Sequence, residues 1–418
     1  MLSEKALICG LFSTQQKETE IMAVMSELQA LCQTAGADVV AQTWQKRPVP
    51  DRKYLIGPGK AEAIKLQLAS SGANLVVFFN VLSSLQQRNL EDLLCVKVID
   101  RSRLILDIFA HRARSIEGKL QVELAQLLYL LPRLTGKGVA MSRLGGGIGT
   151  RGPGESKLET DRRLIKDKIS RIRKKLETVL KNRDLQRQRR HALPVPLVAL
   201  VGYTSAGKST LFKTLSGEEV YISKKLFSTL DPLLRRVDLF DIHPGYYFIL
   251  SDTVGFIRSM PEELFTSFQA SLEEVYHADL ILHIIDLTNP DWLGQKNEVE
   301  KVLQQMKIDR DRIITVFNKI DLLPDRELLL GKKSPRELYV SAVERLGITD
   351  LKEAIFQNYF ADYELVQLEI ADEQQLDALS QWAIVLDKNR IGGIFRVGVL
   401  SSREKMLKFR EKHGGTIQ

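Results

Sequence analysis

Eight consecutive residues, Gly202-Tyr203-Thr204-Ser205-Ala206-Gly207-Lys208-Ser209, carry the pattern G-x-x-x-x-G-K-[ST]. Glycines at these positions let the backbone turn its N–H groups inward around an anion, and a helix opening at Lys208 adds positive potential. The spacing casts Lys208 as the cation for the β- and γ-phosphates of a nucleoside triphosphate. Ser209 supplies a hydroxyl to Mg²⁺, and Thr210 follows in the same turn. Further on, Asp252-Thr253-Val254-Gly255 closes an apolar run. A carboxylate there can hold Mg²⁺ through water, and the Gly255 N–H can reach a γ-phosphate. Asn318-Lys319-Ile320-Asp321 then selects the base. The Asp321 carboxylate can accept from guanine N1–H and the 2-amino group, whereas adenine presents no matching donors and leaves the site unpaired. Ser341-Ala342 can offer a backbone N–H to guanine O6. These elements in this order imply a site for GTP and GDP with Mg²⁺, and hydrolysis of the terminal phosphate.

Such residues work only at the ends of strands. Apolar runs at Leu197–Val201, Arg235–Phe240, Tyr246–Asp252, Leu280–Asp286, Ile313–Phe317 and Leu338–Ser341 read as strands, most of them separated by helices. The second and third are joined by His243-Pro244-Gly245, a hairpin turn, which predicts one antiparallel strand in an otherwise parallel sheet. Leu193-Pro194-Val195-Pro196 marks the boundary before this unit. Ahead of it, strands at Ala6–Phe12, Ala37–Gln42, Asn74–Asn80 and Val96–Asp100 alternate with helices at Glu18–Thr34 and Gly59–Ala69, a small α/β domain with a mainly parallel sheet. Between the two, Leu120, Leu124, Leu127 and Leu131 form one heptad-like seam and Ile165, Ile169, Ile172, Leu176 and Val179 another. Two antiparallel helices burying these seams would leave Gly145–Glu155, a Gly-rich stretch, as the tip loop of a helical hairpin. The C-terminal residues read as a strand at Tyr363–Ile370, a helix, a strand at Gly393–Leu400 and a basic helix. The expectation is a multidomain α/β chain: an N-terminal α/β domain over residues 1–115, a basic hairpin over 116–192, a P-loop nucleotide domain over 193–362 and a small α/β module over 363–418.

Charge is uneven along this layout. The whole chain of 418 residues has 60 Lys and Arg against 52 Asp and Glu, a net +8. Between Arg133 and Arg190 stand 18 basic and 6 acidic residues, so the excess sits in the hairpin and the rest is slightly acidic. A basic arm with a tip of few side chains and many backbone N–H groups suits a polyanion, with RNA the obvious candidate. Arg143, Arg151 and Lys157 lie near that tip. Lipid or an acidic protein would meet the same charge, and a solvated helix face needs no partner. No apolar run approaches the length a membrane helix needs, and three scattered cysteines and six histidines show neither a disulfide framework nor a zinc pattern. Secreted, membrane-spanning and zinc-dependent classes drop out, leaving the expectation of a cytoplasmic monomer.

Gly202–Ser209, Leu226-Phe227-Ser228-Thr229-Leu230-Asp231-Pro232, Asp252–Ile257 and Asn318–Asp321 resemble the HflX GTPases. The resemblance extends to Tyr54–Lys60, Val98–Arg101, Leu106–Phe109, Glu117–Leu127 and Gly145–Arg163, and so to about residues 1–360. It implies a ribosome-associated GTPase that binds the large (50S) subunit and its rRNA, with the hairpin loop entering near the peptidyl-transferase centre. Some members split stalled ribosomes in stress. It implies that Thr229 meets Mg²⁺ and the γ-phosphate in a mobile loop, beside Lys208 and Gly255 as the catalytic groups. Family members also bind ATP through the N-terminal domain, for which Gly57-Pro58-Gly59-Lys60 is a candidate without a full phosphate loop. Where many GTPases place a water-orienting Gln after the glycine of D-x-x-G, this chain has Phe256, which predicts slow intrinsic turnover and stimulation by a partner. Arg235, Arg236 and Arg258 are candidates for an internal arginine finger, and His283 reads as a satisfied core histidine. Two other readings stay open: a signalling GTPase whose arm meets a protein or membrane, and an ATP-driven RNA-remodelling protein.

Overall fold

The computed structural model describes residues 4–134, 153–191, 195–217, 226–227, 233–258, 272–324, 326–330, 334–370, 373–380, 383–391, 394–403 and 406–407. These fall into two compact units that divide inside one long helix, residues 4–177 with 226–227 forming the first.

In the first unit, strands β1 (Lys5–Phe12), β2 (Asp38–Lys46), β3 (Leu75–Phe78) and β4 (Lys97–Asp100) make a wholly parallel sheet in the order β2-β1-β3-β4. Four helices wind between and after them: α1 (Glu18–Ala35), α2 (Pro58–Ser71), α3 (Ser84–Leu94) and α4 (Arg101–Arg112). Ala61, Ile64 and Leu68 of α2 and Leu90 and Leu94 of α3 cover the sheet face of Leu7, Cys9, Val76, Phe78 and Val98. The sequence reading lacks α3 and α4, for opposite reasons. Helix α3 is polar and buries only Leu90 and Leu94. Helix α4 is buried through Leu104, Ile105, Leu106, Ile108 and Phe109, so no single stripe stands out. The start of α3 is nonetheless written locally, since Ser83 and Gln86 form a reciprocal capping box. All three cysteines are free thiols, and burial pushes the Cys9 and Cys32 thiols up to about 12.

Helix α5 (Ile116–Leu130) has two working faces. Val122, Ala125 and Tyr129 are buried on the side that packs against α4. Leu127, with Leu120, Leu124, Leu128 and Leu131, packs against Ile165, Ile169, Ile172 and Leu176 of helix α6 (Pro153–His191). Lys168 and Glu123 pair across that seam at 2.6 Å. Of the tip loop placed at Gly145–Glu155, residues 145–152 lie outside the described residues. Pro153, Gly154 and Glu155 already belong to α6, and proline suits a helix start because its missing N–H is unneeded there.

A buried carboxylate joins α5 to the sheet. Asp100, at the end of β4, is fully buried and accepts from Leu82 N (3.1 Å), Arg103 N (2.9 Å), Tyr129 Oη (3.0 Å) and Arg133 Nη2 (3.1 Å). Arg133 also donates to Leu82 O and lies over the Tyr129 ring at 3.5 Å. Burial, with Asp100 beside it, pushes the Tyr129 phenol well above its usual range.

The second unit is built on a six-stranded sheet in the order β10-β9-β8-β5-β7-β6. Its strands are β5 (Leu197–Gly202), β6 (Leu233–Asp238), β7 (Tyr247–Asp252), β8 (Leu280–Asp286), β9 (Ile313–Asn318) and β10 (Glu337–Tyr339). Every pairing is parallel except β6 with β7. Helices α7 (Lys208–Ser216), α8 (Trp292–Gln305), α9 (Arg326–Leu330) and α10 (Ile348–Tyr359) belong to this sheet. The near-continuous apolar run of β8 is what a strand buried on both faces requires. The β6–β7 hairpin is held to α10 where His243 Nε2 meets Glu353 at 2.7 Å and the imidazole stacks on Phe356 at 3.5 Å.

The C-terminal residues hold one strand more than the expected strand–helix–strand order, and the basic helix expected to follow lies mostly outside the described residues. They form β11 (Tyr363–Ile370), helix α11 (Glu373–Ser380), β12 (Ile384–Ile391) and β13 (Ile394–Ser402), an antiparallel sheet in the order β11-β13-β12. Strand β12 was hidden because its register slips between Val385 and Asp387, which breaks the alternation of apolar residues. Asp387 Oδ1 accepts from Gly398 N at the slip.

Replacing Asp100 by Ala leaves Arg133 and the Tyr129 hydroxyl buried without their shared acceptor. The first unit should lose about 3–5 kcal/mol of stability in urea unfolding, whereas Arg88→Ala, which removes an exposed pair with Asp92, should cost under about 1 kcal/mol.

Candidate nucleotide site

The loop from Gly202 to Ser209 runs out of β5 and into α7, so its backbone crosses the carboxyl edge of the sheet. Ser205 and Gly207 both have positive φ, 63° and 97°. At Gly207 a Cβ would lie 2.2 Å from Asn318 Nδ2, so only glycine serves there. Lys208 is buried, and its ammonium donates to the carbonyls of Gly202 (3.0 Å) and Tyr203 (2.8 Å). Burial pushes this ammonium down to about 8 against the opposing pull of Asp252. A cation held this way is desolvated and aimed before any phosphate arrives. Thr204 and Ala206 are buried with it, Ser205 is exposed, and Ser209 and Thr210 are half-buried on the first turn of α7.

Asp252 ends β7 beside this loop, fully buried, and its Oδ2 accepts from Ser209 Oγ at 2.9 Å. A hydroxyl and a buried carboxylate at that separation are the hard oxygen donors a Mg²⁺ ion takes. Thr253 is pinned through its hydroxyl to Leu200 O, and Val254 is buried. Gly255 lies against the loop: a Cβ would stand 2.8 Å from Thr204 Cγ2 and 3.0 Å from Lys208 Nζ. The next residue continues the sheet edge, since Phe256 N donates to Gly202 O (3.0 Å) and Thr204 N donates to Phe256 O (2.8 Å). The Phe256 side chain is buried.

On the other side of the loop, Asn318 ends β9. Its Nδ2 donates to Ala206 O at 2.9 Å, and its Oδ1 accepts from Ala342 N at 3.1 Å. Lys319 has φ 66°, and its ammonium meets Asp286 at 2.6 Å. Asp321 sits half-buried in the short turn Ile320–Leu322. Ser341 and Ala342 are buried just past β10, with Ser341 closing a two-bond bridge to Leu346 and Ala342 O accepting from Thr214 of α7. Gly202–Thr210, Asp252–Gly255, Asn318–Asp321 and Ser341–Ala342 are thus set along one carboxyl edge, where open α/β sheets bind ligands.

Thr229 lies outside the described residues. Its neighbours Leu226 and Phe227 belong to the first unit: Leu226 N donates to Thr34 Oγ1 at 3.2 Å, and the Phe227 ring meets Phe109 edge-on at 4.8 Å. Both side chains are buried. Among the finger candidates, Arg258 is ion-paired with Asp291, and Arg236 is paired with Asp238 and lies over the Tyr247 ring. His283 is the core residue of β8 that the sequence predicts, pushed down to about 3 chiefly by burial, although its Nδ1 has no hydrogen-bond partner among the described residues. Gly57–Lys60 is the start of α2, with Gly57 N donating to Gln45 Oε1, and forms no phosphate cradle. Sequence reasoning missed Asp286, Asp291 and the Tyr203 hydroxyl. Only the last was in a motif, at a position the motif leaves unspecified.

Known proteins resemble the chain along most of its length. Residues 22–110 match the family described as GTP-binding GTPase N-terminal, 112–190 the GTP-binding GTPase middle region, and 197–319 the 50S ribosome-binding GTPase. The chain is 48% identical over 363 residues to GTPase HflX of Caldanaerobacter subterraneus subsp. tengcongensis, spanning 87% of this chain and 82% of that protein. With GTPase HflX of Escherichia coli K12 it shares 43% over 355 residues, 84% of this chain and 82% of that one. A solved GTP-binding protein of Sulfolobus solfataricus in complex with GDP covers 85% of this chain and 98% of its own, at a TM-score of 0.43 and 24% identity.

Two measurements test the site. Because the buried Lys208 ammonium titrates near pH 8, nucleotide binding above that pH must take up a proton. GDP affinity should be flat up to about pH 7 and then fall towards roughly tenfold per pH unit beyond pH 8. An Asp321→Asn protein should bind GTP at least about a hundredfold more weakly and prefer xanthosine triphosphate, read by competition against a fluorescent guanine nucleotide.

Proposed function

The chain belongs to the HflX family of GTPases, and on that premise we propose that it is a GTP-controlled factor of the large ribosomal subunit, acting on stalled or stressed ribosomes. The observation that carries this reading is the placing of Gly202–Ser209, Asp252–Gly255 and Asn318–Asp321 along one sheet edge, on the same chain as a long basic helix. Along α6, Arg162, Arg163, Lys166, Arg171, Lys174 and Lys175 are exposed, while Ile165, Ile169, Ile172 and Leu176 are turned into the seam with α5. A helix whose exposed surface carries more cations than carboxylates is drawn to a phosphate backbone without reading its sequence. The family description over residues 197–319 names the 50S ribosome, which supplies rRNA as that polyanion.

In hydrolysis, the loop amides from Tyr203 to Ser209 and the Lys208 ammonium hold the β- and γ-phosphates. The Gly255 N–H donates to the γ-phosphate, and the Asp321 carboxylate and Ala342 N–H hold guanine. Ser209 and Asp252, with Thr229, would hold Mg²⁺, which neutralises charge building between the β- and γ-oxygens. Phe256 has no atom that can orient a water, and its buried ring is bound to the packing beneath. Turnover therefore stays slow until another group, offered by the subunit, aligns the nucleophile. Departure of the γ-phosphate frees Thr229 and loosens the arm's hold on the subunit.

GTP turnover should rise at least about tenfold on adding purified large subunits and hardly change with small subunits or vesicles of anionic lipid. Binding to large subunits should weaken steeply with salt and be tighter with a non-hydrolysable GTP analogue than with GDP. Deleting Gly145–Gly154 should spare nucleotide binding and abolish subunit release. Stimulation by lipid or by a protein alone would favour the signalling reading instead.

A further inference from the structure

In a nucleotide switch of this fold, the segment after the D-x-x-G carboxylate is ordered by the γ-phosphate and let go when it leaves. Here that segment is held by other means. Phe256 is bridged to Tyr203 by its two backbone bonds with Gly202 and Thr204. Two residues further on, Arg258 N donates to the Tyr203 hydroxyl at 2.7 Å, and the Arg258 guanidinium is ion-paired with Asp291. Asp291 is itself fixed: it precedes α8, its N–H donates to Asn289 Oδ1 at 2.9 Å, and its carbonyl accepts from Gln295 N. Val254, Phe256, Ile257 and Tyr203 are all buried at about 5% exposure or less.

We propose that Tyr203 and Asp291 are positioning residues for hydrolysis. The Tyr203 hydroxyl and the Asp291 carboxylate clamp Arg258 from two sides, and so keep Gly255 beside the Lys208 ammonium whichever guanine nucleotide is bound. The proposal rests on the reading of Gly255 as the γ-phosphate donor. A donor already in place loses no time or entropy in being recruited at each turnover. Residues 253–258 then keep one arrangement through the nucleotide cycle. The clamp also keeps the Arg258 guanidinium on Asp291, which removes it as an internal finger.

Hydrogen exchange at the Phe256 and Arg258 amides, with GDP or a non-hydrolysable GTP analogue bound and no ribosomes present, tests this directly. In the unaltered protein both amides should be protected with either nucleotide, at rates within about threefold of each other. Tyr203→Phe keeps the ring and removes the hydroxyl that accepts from Arg258 N, and Asp291→Asn weakens the ion pair. Each should speed exchange at Arg258 by at least about tenfold in the GDP form and lower kcat by roughly tenfold, with KM and GDP affinity within about twofold. Asp291→Glu should restore kcat. The proposal is overturned if the Arg258 amide exchanges freely with GDP in the unaltered protein, or if both variants keep kcat. It is equally overturned if GDP affinity falls in step with kcat, the signature of general damage. Nucleotide affinity read in the same samples separates failure of the clamp from failure of the nucleotide site.

Discussion

The Asn318 carboxamide spends its donor on the Ala206 carbonyl and its acceptor on the Ala342 amide, both in the buried edge of the sheet. Through those two bonds three loops from β5, β9 and β10 share one geometry. The loop after β5 is thereby coupled to the loop after β9. Gly207 is required by the same contact, since any side chain there would collide with the carboxamide. Aspartate would lose the donor, and a longer amide would push the loops apart. An unpaired buried amide costs enough to make this arrangement nearly all-or-none. The loops that follow β5, β9 and β10 are therefore tied together at one side chain.

Around it, the protein places charge where desolvation makes it effective. Lys208 is buried against two carbonyls, so its attraction for phosphate is not shared with water. The cations of α6 are spread over a solvent-exposed face, where each is worth little singly and the row matters through its length. The C-terminal end of α5 is tied to the sheet of the first unit through Asp100, which accepts from Tyr129 and Arg133.

Much of this was legible from residues alone, and unevenly so. The β7 and β8 ends were plain because Asp252 and Asp286 each terminate an apolar run. The antiparallel β6 was announced by His243-Pro244-Gly245, a local signal for a local event. Helices α3 and α4 and strand β12 were hidden, since one is too polar, one is apolar on too many sides, and one is interrupted by a register slip. The periodicity that reveals an element is created by a single extended buried face: α3 has one of only two residues, α4 is buried on several sides, and β12 loses its alternation at the slip.

The nucleotide class, the order of the loops and the basic arm were determined by residue identity and spacing, because a phosphate loop, a carboxylate for guanine and a run of cations act through what they are. Tertiary structure alone decided what those residues touch. It brought Arg258 to Asp291 and the Tyr203 hydroxyl, Phe227 to Phe109, and Asp100 to Arg133. Those partners lie 33 to 118 residues apart or, for Tyr203 and Arg258, 55. No local pattern encodes such pairings, because their energy comes from burial that exists only once the sheets have assembled.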